Sequence, residues 1–175
     1  PEDYNFSVDY NWVVNNSVAD LHDIANQIRS TARRKGYRSR RDIIGAIASF
    51  VQELKYQLPP EHRFNDDGEK ILTAGATMPL ETLAKRCGDC DTKSLLFAGL
   101  VRSISLVDVI FVAIEDHLFT AIRINPSQGD HSIRHKGRDW VLLELSDSWP
   151  IGHVPENHLS VIRSGKEAYR VIDID

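Results

Sequence analysis

Apolar residues recur every three or four positions in two stretches of the first third of the chain, which is the spacing of an amphipathic helix. The first stretch begins at Ser17, and its apolar positions are Val18, Leu21, Ile24, Ala25, Ile28 and Ala32. The second begins at Ser39, and Asp42 three residues later is typical of a capped helix start. Its apolar positions are Ile43, Ile44, Ile47, Phe50, Val51 and Leu54. We therefore predict a helical pair over residues 17–57, preceded by an extended arm over residues 1–16.

Residues 57–78 are mostly polar and contain the strong turn signal Asn65-Asp66-Asp67-Gly68, so they predict a long loop. Long loops in compact domains often carry function or move. The segment 79–84 then predicts a short helix, because proline is favoured in the first turn of a helix.

The run Leu95–Val101 is apolar on nearly every face, which predicts a buried helix ending near Ser103. Asp91 and Thr92 are both suitable helix-start residues, and either one would begin this helix. Cys90 would then lie at its N-terminal mouth. A buried helix is a rigid support for a reacting atom.

After this helix the composition changes to β-branched and aromatic residues, which favour strands. Four strands are predicted: Val107–Ile114, Leu118–Ile124, Trp140–Leu145 and, last, Ala168–Ile174. Residues 126–137 between the second and third strands are polar and predict a loop. Helices first and strands afterwards indicate an α+β domain, in which the N-terminal helices and the central cysteine-bearing helix pack on an antiparallel sheet.

The composition excludes several classes of protein. At 175 residues and 42% hydrophobic content, the chain fits a single domain with a sizeable core. The formal net charge of −4 and the interspersed charges argue against a nucleic-acid-binding face. The one basic cluster, residues 33–41, falls at a predicted helix-to-helix turn and is interpreted as solvated. No apolar stretch approaches the length that spans a bilayer, and no signal peptide is visible.

Cys90 is the first candidate for chemistry. The unpaired N–H groups and the positive dipole end of a helix N-terminus favour an anion, so they are expected to lower the pKa of this thiol. The alternative is a small buried core residue, since free cysteine is among the most buried residue types. The residues around Cys90 leave both interpretations open.

A cysteine nucleophile needs a base within hydrogen-bond reach and, usually, a third group that orients the base. His117 is the best-placed histidine, because it begins a strand directly after a turn-like Glu-Asp pair. Glu144 lies inside an otherwise apolar strand, where a buried carboxylate needs a partner. If Trp140, Leu142 and Glu144 share an inward face, that partner could be His117. Taken singly, each residue is better explained as ordinary: a strand-end histidine is usually exposed or capped, and a strand glutamate usually points to solvent.

Several motifs then occur in an order typical of one superfamily. They are Pro79-Leu80-Glu81-Thr82-Leu83, Gly88-Asp89-Cys90-Asp91, Asp116-His117, Trp140 to Glu144, and Trp149-Pro150-Ile151-Gly152 with Pro155. In these motifs the chain resembles the transglutaminase-like superfamily, and most closely its bacterial cysteine peptidase branch. There a Gly-Asp-Cys-Glu-Asp motif follows a Pro-x-Glu-Thr-Leu segment. Phe50-Val51-Gln52 with Tyr56 also resembles the upstream helix of that branch, so the similarity runs from about residue 43 to residue 155.

This resemblance implies a papain-like fold over residues 1–175, with the catalytic core in residues 79–175. It implies Cys90 as nucleophile, His117 as general base and acid, and Glu144 where the superfamily more often carries aspartate. The activity implied is acyl transfer on an amide through a thioester, either as a peptidase or amidohydrolase or as a protein-glutamine transamidase. No cofactor is required by this chemistry. The chain departs from the branch in two places: Asp91-Thr92 replaces Glu-Asp, and Cys87 stands where glycine is common.

Three other interpretations remain open. A catalytically silent binding or scaffolding module could keep the same fold, since one fold hosts many functions. Cys87 and Cys90 could form a redox Cys-x-x-Cys motif, although Leu80–Arg86 lacks the strand pattern that usually precedes one; a vicinal Cys87 could also cap Cys90 reversibly. The same two cysteines could bind zinc with His131 and His135, although the 40-residue gap between Cys90 and His131 is far longer than in zinc fingers.

The expected partner is a protein or peptide amide, and no nucleic acid is expected. The chain begins at Pro1 without a methionine, so we expect a fragment or processed form of a longer protein. Membrane attachment would then require an anchor outside this chain, and an extracytoplasmic domain of a larger bacterial protein is the localisation to test. Two cysteines do not determine the redox compartment.

Overall fold

The computed structural model describes residues 7–60, 62–72 and 75–175. The described residues form five α-helices: α1 Tyr10–Arg34, α2 Arg40–Gln52, α3 Pro79–Lys85, α4 Cys90–Ser103 and α5 Glu156–Arg163. The strands are β1 Lys55–Tyr56, β2 His62–Phe64, β3 Lys70–Leu72, β4 Cys87–Gly88, β5 Val109–Ile114, β6 His117–Ile122, β7 Ser132–His135, β8 Arg138–Leu143 and β9 Arg170–Asp173. None of these helices is long and apolar enough to cross a bilayer.

Helix α1 begins seven residues before the predicted start. Asp9 caps it by accepting a hydrogen bond from the backbone N–H of Trp12, and residues 10–16 are helical. The prediction of an extended arm is therefore wrong for residues 10–16, while residues 1–6 lie outside the described residues. Tyr10 holds this first turn against the core, because its ring packs edge-on against Phe111 at a centroid distance of 5.5 Å.

The other predicted helices are confirmed with small changes at their ends. Ser39 and Asp42 form the full capping box of α2, as their spacing indicates. Helix α3 begins at Pro79. Helix α4 begins one or two residues earlier than predicted, at Cys90, because the side chain of Asp89 accepts from the N–H of Thr92 and caps the helix.

The predicted loop over residues 57–78 contains regular structure. Strands β2 and β3 form a short antiparallel hairpin around the Asn65–Gly68 turn. The segment begins beside α4, where Gln57 N–H donates to the carbonyl of Gly88, and ends there, where Thr77 N–H donates to the hydroxyl of Thr92. The prediction of an unstructured loop is therefore wrong at the hairpin, whose three-residue strands are too short to give an alternating pattern.

The main sheet has five strands in the order β7-β8-β6-β5-β9, and every pairing is antiparallel. Strand β7 lies inside the segment predicted as a polar loop, and its alternate residues are exposed at the edge of the sheet. The sheet curls so far that its two edges meet: His135 and Lys136, at the end of β7, pair with Asp173 of β9 at 2.9 and 3.0 Å.

Each face of the curled sheet is covered by apolar side chains. Helices α1, α2 and α4 pack against one face, and α4 is buried along Thr92–Val101. Helix α5 packs against the other face through Leu159 and Ile162. Helix α5 is absent from the sequence prediction because it has eight residues and no side-chain cap. An α+β architecture with helices on an antiparallel sheet is thereby confirmed.

Candidate functional site

Cys90 is the first residue of the buried helix α4 and is itself half-buried. Its thiol donates to Oδ1 of Asp91 at 3.5 Å. The backbone N–H of Leu118 in β6 acts on the sulfur in the direction of the thiolate. Helix α4 therefore places the sulfur of Cys90 near Leu118, the residue that follows His117 in β6.

The predicted lowering of the Cys90 pKa is wrong. Burial first, and then the negative charge of Asp91, raise the pKa of this thiol to about 12. The N–H of Leu118 acts in the opposite direction, but Asp89 adds a second nearby carboxylate. A helix dipole is worth only about 0.3–1 kcal/mol at its end, so burial and two carboxylates outweigh it. In this conformation the resting group is a thiol.

His117 and Glu144 form the predicted pair. Nε2 of His117 lies 2.8 Å from Oε2 of Glu144. Glu144 follows directly on β8 and is fully buried. Its other oxygen, Oε1, accepts hydrogen bonds from the backbone N–H and the hydroxyl of Ser146, at 2.7 and 2.6 Å. Both carboxylate oxygens are therefore satisfied, and the bond through Nε2 leaves Nδ1 of His117 available to a different partner.

Charge and hydrogen bonding keep Glu144 ionised. Burial by itself would raise the pKa of this carboxyl, but the bonds from His117 and Ser146 outweigh burial and hold the pKa below its ordinary value. An ionised carboxylate beside an imidazole fixes the ring orientation and stabilises the imidazolium. This is the role that the third member of a nucleophilic triad performs.

The predicted shared face is present. Trp140 and Leu142 belong to the apolar cluster on the α5 side of the sheet, together with Phe119. The ring of His117 lies on the same side, because it packs edge-on against Phe119 at 4.4 Å. Cys90 instead packs against the core on the α4 side. The sulfur and the imidazole therefore approach the beginning of β6 from different sides, and no hydrogen bond between them is found among the described residues.

Gln52 and Lys93, which were not predicted as site residues, form hydrogen bonds that hold the segment after β8 in place. The side-chain amide of Gln52 donates to the carbonyls of Glu144 and Trp149, both at 2.8 Å. Lys93 is fully buried, and its Nζ donates to the carbonyls of Gln52 and Ser146 at 3.2 and 3.3 Å. The sequence does contain a signal for these contacts of Lys93: it is a lysine inside an otherwise apolar helix, and a buried cation requires polar partners.

Tyr56 is a partly exposed residue near Cys90. Strand β1 pairs in parallel with β4, which sets Tyr56 opposite Gly88, two residues before the nucleophile. The residue is about half exposed. Burial first, and then the charges of Cys90 and Asp89, raise the pKa of its phenol, so its hydroxyl is a neutral donor within electrostatic range of the sulfur.

His158 of α5 was not predicted at all. Its ring stacks on that of His117 with a centroid distance of 4.8 Å and an angle of 19° between the planes. One donor atom from each of His117, Glu144 and His158 lies within 4.8 Å of the other two, and no other group of this kind is found in the described ranges. The sequence carries no signal for this contact, since His158 is one of seven histidines and lies on a helix that the pattern did not predict.

The alternative site residues are not assembled. His135 pairs with Asp173, while His131 packs edge-on with His153, so neither histidine joins the two cysteines in a metal-binding group among the described residues. Both cysteines are free thiols. The segment before Cys87 is the helix α3, as predicted, although Cys87 and Gly88 themselves form a two-residue strand.

A groove of about 1100 Å³ lies away from these residues. Its apolar walls come from α1, α2 and the segment after Trp149: Ile24, Ile28, Ala46, Phe50 and Ile151. Neither Cys90 nor His117 lines it. The candidate site is therefore identified by the chemistry of its side chains and is separate from this groove.

Comparison of the chain with models of known protein families and with curated proteins finds no match. The geometry and chemistry of the site are therefore the basis for assigning a function.

Proposed function

We propose that this protein is a cysteine-dependent acyl transferase of the transglutaminase-like kind, acting on an amide of a protein or peptide. The observation that carries the proposal is the buried Glu144 bonded to Nε2 of His117, which precedes Leu118, the residue whose backbone N–H favours the thiolate of Cys90. Three residue types that nucleophilic catalysis requires, distant in the chain, lie around the start of one strand. A papain-like arrangement of the core is part of this proposal.

Because Cys90 rests as a thiol, His117 acts as a general base during the attack. Nδ1 of His117 takes the proton from Sγ as the sulfur bonds to the carbonyl carbon, and Glu144 stabilises the imidazolium that forms. The ring and the sulfur must approach one another for this transfer. Catalytic hydrogen bonds often tighten only when substrate is bound, and substrate would also displace the thiol from Asp91.

The negative oxygen of the tetrahedral intermediate requires two donors. The backbone N–H of Cys90, at the first position of α4, is one donor. We assign the second to the hydroxyl of Tyr56, which is neutral and lies within electrostatic range of the sulfur.

Collapse of the intermediate breaks the carbon–nitrogen bond as His117 returns the proton to the leaving amine. The acyl group remains on Cys90 as a thioester. Water then releases an acid, or a primary amine releases a new amide, and in both cases Cys90 recovers its proton through His117.

The test is to compare Cys90→Ala with Cys87→Ser. The assay offers a glutamine-containing protein with a fluorescent primary amine, and measures both amine incorporation and ammonia release. We expect Cys90→Ala to abolish both signals without loss of the folded state by circular dichroism, while Cys87→Ser retains them. Glu144→Ala should weaken turnover by misorienting His117. Turnover that survives Cys90→Ala would refute the assignment.

A second candidate is a catalytically silent binding module with the same arrangement of side chains. The observation that favours it is the raised pKa of Cys90, whose thiol donates to Asp91 rather than to His117. The two candidates differ in one readout: in a silent module neither iodoacetamide labelling nor turnover depends on His117, whereas in the enzyme His117→Ala lowers both.

A further inference from the structure

The group formed by His117, Glu144 and His158 has the composition of a metal site. Each residue presents one donor atom, and the three atoms lie within 4.8 Å of one another. Two imidazoles and a carboxylate suit zinc and related divalent transition ions, whereas calcium and magnesium prefer sites made of oxygen alone. The donor set therefore discriminates between classes of cation.

The environment of His158 gives a second observation in favour of a metal site. Its Nδ1 is buried and has no hydrogen-bond partner among the described residues, although Glu144 and His117 lie next to it. A buried polar atom without a partner requires an explanation, and an absent ion is one of the ordinary explanations. The aromatic ring of Phe119 packs edge-on against His158 at 5.4 Å and keeps the histidine beside the pair.

We propose that His117, Glu144 and His158 bind a divalent transition-metal ion of the zinc type, and that the bound ion switches off the chemistry of Cys90. The first half of this proposal is independent of the activity proposed above, and the second half rests on it. Zinc bonds of 2.0–2.1 Å set tetrahedral donors about 3.3 Å apart. The His117–Glu144 separation of 2.8 Å is already close to that value, so assembly requires chiefly that the ring of His158 moves toward the pair.

The switch follows from the lone pairs of the imidazole. A metal ion that binds Nε2 of His117 displaces the proton that Nε2 donates to Glu144, and the one proton of the neutral ring then lies on Nδ1. That ring cannot accept the proton of Cys90. Glu144, bonded to the same ion, no longer orients the base. Removal of the ion frees both groups, so metal occupancy and catalysis exclude each other.

The binding test is calorimetric titration of the metal-free protein with zinc sulfate, in a Cys87→Ser/Cys90→Ala background that removes both thiols. We expect one zinc ion per chain. The matched variant is His158→Phe, which keeps an aromatic ring against His117 and removes both donor nitrogens. Loss of a direct ligand should weaken zinc binding on the order of 100-fold or more, because even outer partners of a metal site are worth 10–100-fold. His153→Phe, which alters an exposed histidine outside the group, should leave it unchanged.

Thermal unfolding of each metal-free variant shows whether it is folded before titration. Should His158→Phe unfold, His158→Gln takes its place with the same expectation. Absence of zinc binding, or equal affinity in the His158 variant, overturns the proposal. Cobalt absorption in the unsubstituted protein supplies a second criterion: bands without thiolate charge transfer support the histidine–carboxylate site, and thiolate bands overturn it.

The regulatory half is tested by turnover with and without zinc. We expect zinc to inhibit the unsubstituted protein and to inhibit the His158 variant on the order of 100-fold less potently, each relative to its own metal-free rate. Zinc binding without any turnover in the metal-free protein would mean that the proposed function has failed while the metal site stands. Turnover that is insensitive to saturating zinc would overturn the switch.

Discussion

At the scale of single residues, the environment of Cys90 decides its reactivity. The thiol is held by Asp91, which also accepts a hydrogen bond of 2.6 Å from the hydroxyl of Tyr10. Tyr10 and Asp91 are 81 positions apart, so this arrangement depends on the packing of α1 against α4. The carboxylate next to the nucleophile therefore works against the helix dipole, in the direction of a protonated thiol.

We predict that Asp91→Asn increases the rate of Cys90 alkylation by iodoacetamide at pH 8.5. Removing the negative charge lowers the pKa of the thiol, and a fall of about one unit raises the thiolate fraction about tenfold. The measurement is made in a Cys87→Ser background. Asp108→Asn, which removes a carboxylate paired with Arg123 on the surface, is the control and should leave the rate unchanged. An unchanged or slower rate in Asp91→Asn would show that the carboxylate does not hold the proton on the sulfur.

Glu144 makes a pH-dependent contribution to folding. Its folded-state pKa lies below the ordinary value of 4.5, so the unfolded chain binds the proton more readily. The resulting stability is present above pH 4.5 and is lost as the pH falls through the folded-state pKa.

We predict that Glu144→Gln lowers the free energy of unfolding by about 2 kcal/mol at pH 7, the typical worth of a hydrogen bond to a charged group. The difference in the free energy of unfolding between the unsubstituted protein and Glu144→Gln should become smaller as the pH falls below 4.5. Urea denaturation at several pH values measures this difference. All other carboxylates are present in both proteins, so their contributions to this difference cancel. A difference that stays constant with pH would contradict the assignment of an ionised Glu144.

At the scale of elements, α4 is the helix around which α1, α2 and α3 pack, and its contact with α1 is close. Gly99 of α4 faces Leu21 of α1, and a methyl group added at Gly99 would lie 2.5 Å from Cδ1 of that leucine. Leu21 is fully buried, so its side chain has little free space into which it could move. The glycine is therefore required by the approach of the two helices.

We predict that Gly99→Ala lowers the free energy of unfolding by about 1–3 kcal/mol, the usual cost of overpacking a core. Gly45→Ala in α2 is the matched control: it is also a helical glycine, but the added methyl would meet only Cδ1 of Ile151 at an ordinary 3.7 Å. That variant should be neutral or gain up to about 1 kcal/mol from helix propensity. Equal effects of the two substitutions on the denaturation midpoint would contradict the close approach.

At the scale of the whole molecule, the curled sheet joins the two halves of the site. One face receives α4 with Cys90, while the other receives α5 with His158. His117 begins the strand β6 between them. Helix α5 is thus a structural part of the site as well as of the second core.

We predict that Leu159→Ala lowers the free energy of unfolding by about 2–5 kcal/mol, because it removes a side chain that is 3% exposed in the second core. Val161→Ala, on the same helix but 37% exposed, should cost less than about 1 kcal/mol. Chemical denaturation compares the two. Equal small effects would mean that α5 does not pack against the sheet.

The sequence by itself determined the features that depend on neighbouring residues. Apolar spacing predicted α2 and most of α1, a continuous apolar run predicted α4, and a proline in the first turn predicted α3. β-branched and aromatic residues predicted β5, β6, β8 and β9, because each of these signals lies within a few neighbouring positions. The Ser39–Asp42 cap was visible for the same reason. Cys90, His117 and Glu144 could be selected as chemically competent types, and the pairing of the last two is present in the fold.

Only the tertiary structure decided the properties that depend on residues far apart in the chain. The early start of α1 rests on Tyr10 meeting α4 and β5, and the curl of the sheet rests on β7 meeting β9. The raised pKa of Cys90 comes from burial and from carboxylates gathered around it, which no local pattern reports. The place of His158 beside His117 depends on an eight-residue helix that only packing against the sheet holds in position. Burial and electrostatics act through space, and that is why they became readable only in the folded chain.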